Sequence, residues 1–321
     1  MIEAILASFR RCRNEKDFWR VQLDAEHRLT PAEFARLIEV KADLPSSAQA
    51  WLDKVGAIGA FGQRPIAGFQ RKVLHDGVTL YSDGQGAARS KRLIIGFCGL
   101  AHQLMLPIPC MLQYLDPAQC DVLVLRDPDR EHYFGGIGDY ASSFPGLLER
   151  LRRDLPLASY GQVYCYGTSV GGAAALRAGL LLEADRAIAI GVSFPWHVSR
   201  LKEPAARPFP AFDPICDCWR ETGTVLISAF GGANRKDREQ SERLAAILPV
   251  RSIVFADVAN HNLILELATS GRLDAFFARV FRLGKDLERR GGSRHGWRSR
   301  LPAWLGGRRA AGGGRRRRLA S

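Results

Sequence analysis

From residue 92 onward, short runs of almost purely apolar residues alternate with stretches in which apolar residues recur every three or four positions. The runs at 93–97, 122–125, 163–166, 187–192, 225–230 and 253–256 predict strands buried on both faces. Between and after them, four stretches read as helices. Phe144, Leu147, Leu148 and Leu151 share one helical face, residues 170–182 and 238–248 follow the third and fifth runs, and Leu273, Phe276, Phe277, Val280 and Phe281 form a strongly amphipathic last helix. Such alternation predicts an α/β chain with a mainly parallel sheet covered on both faces. The interval 193–223 breaks the rhythm with five prolines and with Phe209, Phe212 and Trp219, and it reads as a cap or lid over a site.

Upstream, residues 1–66 read as an N-terminal helical accessory region. Thr30-Pro31-Ala32-Glu33 is a capping box with proline at the first helical position, and a second short helix is expected over 47–55, followed by an irregular Gly-rich stretch at 56–68. His75-Asp76-Gly77 separates two apolar runs, 69–74 and 78–81, and predicts a β-hairpin leading into the main domain, residues 67–283. Residues 93–115 contain no Asp, Glu, Lys or Arg and could be mistaken for a membrane span. Gly96, Gly99, Pro107 and Pro109 punctuate them, so a strand, a loop and the start of a helix are expected instead.

Charge changes the picture less than its total suggests. Of the formal +13, residues 285–321 supply +10 (twelve Lys/Arg against two acids), leaving +3 for residues 1–284. The basic character therefore belongs to a tail, residues 284–321, whose Gly- and Arg-rich low complexity predicts disorder. Through charge alone it could touch anionic lipid or nucleic acid weakly. Seven cysteines, an odd number without C-x-x-C pairs, suit a reducing compartment better than a disulfide framework, and Cys216-x-Cys218 is too short for a metal site. No secretory leader is recognisable in the first residues, and the expected location is the cytoplasm.

The candidate chemistry lies at Gly167-Thr168-Ser169-Val170-Gly171-Gly172, between a predicted strand and a predicted helix. Gly-x-Ser-x-Gly at such a junction puts a serine on a sharp turn at the head of a helix whose amides can face a developing oxyanion. A serine hydroxyl needs a base, and the base an orienting carboxylate, each beyond a later strand. His261 follows the run 253–256 by a short loop. Asp237 follows the run 225–230 and precedes a helix, where it could equally be a cap; Asp257 competes with it, and Asp213 and Asp217 are weaker choices. His132 and His197 lie in loops that could face a substrate.

These residues resemble the α/β-hydrolase superfamily over about residues 69–283. The resemblance implies an eight-stranded, mostly parallel sheet with helices on both faces, whose first two strands form an antiparallel edge. It implies a serine hydrolase that cleaves a carboxylic ester through Ser169, Asp237 and His261, without metal or organic cofactor, acting on a small-molecule or acylated substrate. The oxyanion hole would use the amide of Val170 and that of Gly99 or Leu100. Phe97-Cys98-Gly99-Leu100 departs from the His-Gly-Gly-Gly run of many lipases and esterases. An acyltransferase, amidase or peptidase would use the same three residues. A non-catalytic scaffold binding a partner or an anionic surface through the basic tail is the reading from another class.

Overall fold

In the computed structural model the described residues are 2–87, 89–194 and 222–283. The expected cap and basic tail lie outside them, apart from residues 193–194 and 222–223 at the ends of the cap interval. The strands are β1 (Gln70–His75), β2 (Val78–Ser82), β3 (Arg92–Phe97), β4 (Cys120–Leu125), β5 (Gln162–Thr168), β6 (Arg186–Ile190), β7 (Val225–Gly231) and β8 (Arg251–Phe255). They form one eight-stranded sheet in the order β1-β2-β4-β3-β5-β6-β7-β8. β2 runs antiparallel to both β1 and β4, and all other neighbours are parallel. The order reverses between β3 and β4, and this order with a single reversed strand near one edge is the α/β-hydrolase fold.

The parallel strands end together. Phe97 is paired with Leu125 on one side and Gly167 on the other, and Thr168 with Ile190. All loops that leave the C-terminal ends of β3 to β8 therefore open on one edge of the sheet. Open α/β sheets build ligand sites at that edge, where the strand order switches.

The helices are α1 (Ile2–Arg11), α2 (Glu15–Arg28), α3 (Pro31–Glu39), α4 (Ser46–Ile58), α5 (Ile108–Gln113), α6 (Phe144–Asp154), α7 (Val170–Leu181), α8 (Arg235–Ile247), α9 (Leu263–Thr269) and α10 (Leu273–Phe281). α3 begins at the expected capping box, with both reciprocal hydrogen bonds formed. Residues 92–113 are β3, a loop and α5, and no helix among the described residues is long and apolar enough to cross a membrane.

α1 and α2 are additions to what the sequence pattern was read to contain. Ile5, Leu6 and Phe9 bury one face of α1, and the Asn14 side chain caps α2 by accepting from the Asp17 amide. Phe9 and Phe34 each pack 5.6 Å (ring centroids) from Trp51, tying α1, α3 and α4 together. These aromatic residues share one hydrophobic core with Ile94, Tyr164, Tyr166 and Ile188 of the sheet and Phe277 of α10. The N-terminal helices are thus built onto one face of the sheet.

Candidate active site

The turn between β5 and α7 is forced by close backbone approach. A Cβ on Gly167 would lie 2.0 Å from the Gly171 carbonyl oxygen, and one on Gly171 only 2.1 Å from that of Phe97. Both glycines let α7 press against β3 and β5, and Ser169 between them is held at φ 52°, ψ −119°. A non-glycine residue there carries on the order of 1–3 kcal/mol of strain, which its surroundings must impose. They do so through β6: the Ser169 amide donates to the Ile190 carbonyl (2.8 Å), and the Ser193 amide donates to the Ser169 carbonyl (3.0 Å). Gly171→Ala is expected to cost about 3 kcal/mol or more, at the top of the overpacking range, as measured by urea unfolding.

Beyond β7, Asn234 caps α8 by accepting from the Asp237 amide (3.1 Å), and its side-chain amide donates to the Ala259 carbonyl (3.0 Å). One residue thereby sets the position of the acid and of the loop that carries His261. Asp237 is almost fully buried, and its Oδ1 is 2.8 Å from His261 Nδ1. His261 Nε2 is 3.1 Å from Ser169 Oγ. A carboxylate can only accept, so Nδ1 carries the proton and Nε2 offers its lone pair to the serine hydroxyl. Asp257 points elsewhere: it is mostly exposed and pairs with Arg272 at 2.9 Å, which holds its carboxyl below the ordinary value.

The loop after β3 lies against the serine, since a Cβ on Gly99 would come 3.5 Å from Ser169 Cβ. Of the two expected donors in this loop, Gly99 has its N–H committed to the Gln103 carbonyl (2.9 Å). That tight turn consumes the Gly99 amide as a ligand donor. The amides of Leu100 and Val170 have no acceptor among the described residues.

Three side chains that sequence reading missed hold this loop. The Tyr133 hydroxyl, fully buried, lies 2.8 Å from the Leu125 carbonyl and 3.0 Å from that of Cys98, sharing its one proton. Buried Glu26 of α2 accepts from Trp51 Nε1 (2.7 Å), from Gln22 and from the side chain of Gln103. Its neighbour His27 donates to the Ala101 carbonyl at 3.0 Å. Glu26 and Gln103 are 77 positions apart, so no local pattern could have paired them; Asn234, three residues before Asp237, does carry a capping signal. Gln103→Leu is expected to cost about 1–3 kcal/mol, because it strands a buried carboxylate oxygen, as read by denaturant midpoint.

Of the remaining candidates, His132 sits in the loop after β4, where burial lowers its pKa. Asp213, Asp217 and His197 lie outside the described residues. Cys12, Cys98, Cys110, Cys120 and Cys165 are free thiols. Burial pushes Cys98 and Cys120 up to about 12 and also raises Cys110 and Cys165, so these four are inert thiols at neutral pH. Among the described residues no group of His, Cys, Asp and Glu is arranged to hold a metal ion.

No family model matches the chain, and no curated protein sequence is similar to it. Several solved structures resemble it. The capsule O-acetyltransferase of Neisseria meningitidis serogroup A is similar over 68% of this chain and 96% of its own, at 14% identity and TM-score 0.46. A carboxylesterase structure from the thaumarchaeon Nitrososphaera gargenis covers 66% of this chain and 99% of its own, at 15% identity and TM-score 0.45. Est1E from Butyrivibrio proteoclasticus covers 67% and 100%, at 13% identity and TM-score 0.44. At such identities the likeness concerns the fold alone, and the fold of this chain is read from its own strand order.

Proposed function

We propose that this chain is a serine hydrolase that cleaves a carboxylic ester or a related acyl bond through a covalent acyl-enzyme. The observation that carries the reading is the hydrogen-bonded line from Asp237 through His261 to Ser169, ending on a serine held at positive φ at the head of α7. A merely packed turn needs neither the strained serine nor a histidine between it and a buried carboxylate.

In the first half-reaction Ser169 Oγ attacks the acyl carbonyl carbon while His261 Nε2 takes the hydroxyl proton. The imidazolium that forms is stabilised by Asp237, which also fixes the ring tautomer. Negative charge gathers on the former carbonyl oxygen, facing the free amides of Val170 and Leu100 at the positive end of α7. Collapse expels the alcohol, which receives the proton from His261. Water then repeats the sequence on the acyl-serine, with His261 again as base and then acid, and the carboxylic acid and free Ser169 are released. Loss of one oxyanion donor typically costs about 100-fold or more in rate. Tyr133 and Glu26, which hold the β3 loop from outside it, therefore bear on rate without touching substrate.

The test is turnover of short 4-nitrophenyl esters by the full chain, compared with Ser169→Ala and His261→Ala. Release of nitrophenol that disappears in both variants is the expected result. Equal rates in wild type and Ser169→Ala contradict the reading.

A further inference from the structure

A cavity of about 330 Å³ has none of Ser169, Asp237 and His261 in its lining. α2 forms one wall with Arg20, His27 and Arg28, the β1–β2 turn another, and Arg126 at the end of β4 and His102 of the β3 loop complete it. The same loop thus lies against Ser169 at Gly99 and lines the cavity three residues later.

The charges in this cavity do not balance locally. Asp24 and Asp76 also line it, and both are paired with Arg28. Arg126 is only 8% exposed, and its guanidinium donates to two main-chain carbonyls, His27 at 2.9 Å and Asp76 at 2.5 Å. Neither it nor Arg20 has a carboxylate partner among the described residues. A buried guanidinium without a counter-charge is costly, and an anion in the cavity would relieve that cost. His102 Nε2 is buried there and has no hydrogen-bond partner. His27 is pushed down to about 4 by burial, with Arg126, His102 and Arg28 adding to the effect, so it is neutral at pH 7 and the arginines alone supply the charge.

We propose that this cavity binds the anionic group, phosphate or carboxylate, of a small molecule, with Arg126 and Arg20 as its cationic ligands and the His102 ring at its side. β4 and β5 are separated by β3, so the main chain at Arg126 lies about 10 Å from that at Ser169 at ordinary strand spacing, and the guanidinium reaches from there toward the β1–β2 turn. One molecule can therefore span both places, with its acyl bond at Ser169 and its anionic end in the cavity. That form of the proposal names the substrate class and rests on the hydrolase reading; the binding itself does not.

The binding arm uses full-length Ser169→Ala protein, which separates the two ideas. Titration with inorganic phosphate, and separately with suberate, is followed through the His27 ring signals by NMR. Saturable binding is expected with at least one probe, together with a rise in the His27 pKa, because a nearby anion favours the protonated ring. Arg20→Glu should weaken that binding about tenfold or more, and Arg126→Gln likewise if it folds. The arginines of residues 284–321 are common to all these proteins, so the His27 signal separates cavity binding from theirs. Failure of both probes to perturb His27 saturably, or binding unchanged by Arg20→Glu, overturns the proposal.

The kinetic arm compares a neutral 4-nitrophenyl ester with the 4-nitrophenyl monoester of suberic acid. A KM that rises in Arg20→Glu for the anionic ester alone assigns the cavity to the substrate. Kinetics unchanged by Arg20→Glu for both esters, although that substitution weakens anion binding in the Ser169→Ala protein, assign it to a free anion.

Discussion

Asp237→Asn is expected to lower kcat by roughly 10⁴-fold, while Asp257→Asn leaves it within about twofold. Asparagine fills the same volume but can turn an amide N–H toward His261. The ring would then present its lone pair at Nδ1 and its proton at Nε2, the wrong tautomer for accepting the Ser169 proton. Asp257 has no part in this, because its carboxylate faces Arg272 at the surface; an exposed ion pair of that kind contributes little even to stability. The check is steady-state hydrolysis of one ester by the two purified variants. The reverse ranking would mean that His261 is oriented from the other side.

Ser169→Gly is expected to do two opposite things at once. Turnover falls by roughly 10⁶-fold, the scale of losing a hydrolase nucleophile. The fold, however, becomes more stable by about 1 kcal/mol. Glycine takes φ 52° freely, which removes strain on the order of 1–3 kcal/mol, and the greater entropy of glycine in the unfolded chain offsets roughly 0.5–1 kcal/mol of that. Ser169→Ala loses the same activity but keeps a Cβ and hence the strain. The glycine variant should therefore unfold at a higher urea concentration than both the alanine variant and wild type. A glycine variant no more stable than the alanine one would show that the turn stores no strain.

What was legible beforehand was local. The Gly-x-Ser-x-Gly turn, the Asp-Gly hairpin, the capping box of α3 and the runs that became β3 to β8 each announce themselves within a few residues, because turn sterics and burial periodicity act over that range. Their starts and ends shifted by a few residues, as when β5 extended to Thr168 and α4 ran through Gly56 to Ile58. α1 and α2 were legible but unread: Ile5, Leu6 and Phe9 stand at helical spacing, and Asn14 precedes Asp17 as a cap should. The choice between Asp237 and Asp257 was not legible, since both follow a strand and precede the histidine. Arg272, fifteen residues beyond Asp257, separates them in space. The grip of Glu26 on Gln103 and the cavity at Arg126 depend on how α2 lies across the sheet edge, which no short-range pattern encodes. Gly99 shows the same limit at smaller scale: its position near the serine was expected, but the direction of its N–H follows from a turn closed by Gln103.

The central claim is that Ser169 is a nucleophile activated by His261. Fluorophosphonate reagents phosphonylate such serines and leave ordinary hydroxyls alone. Incubation of the folded full-length chain with one of them, followed by intact mass and peptide mapping, should give a single adduct on Ser169 that is lost in Ser169→Ala and strongly slowed in His261→Ala. A folded wild-type chain that takes up no label, or one labelled equally well in Ser169→Ala, would contradict the account.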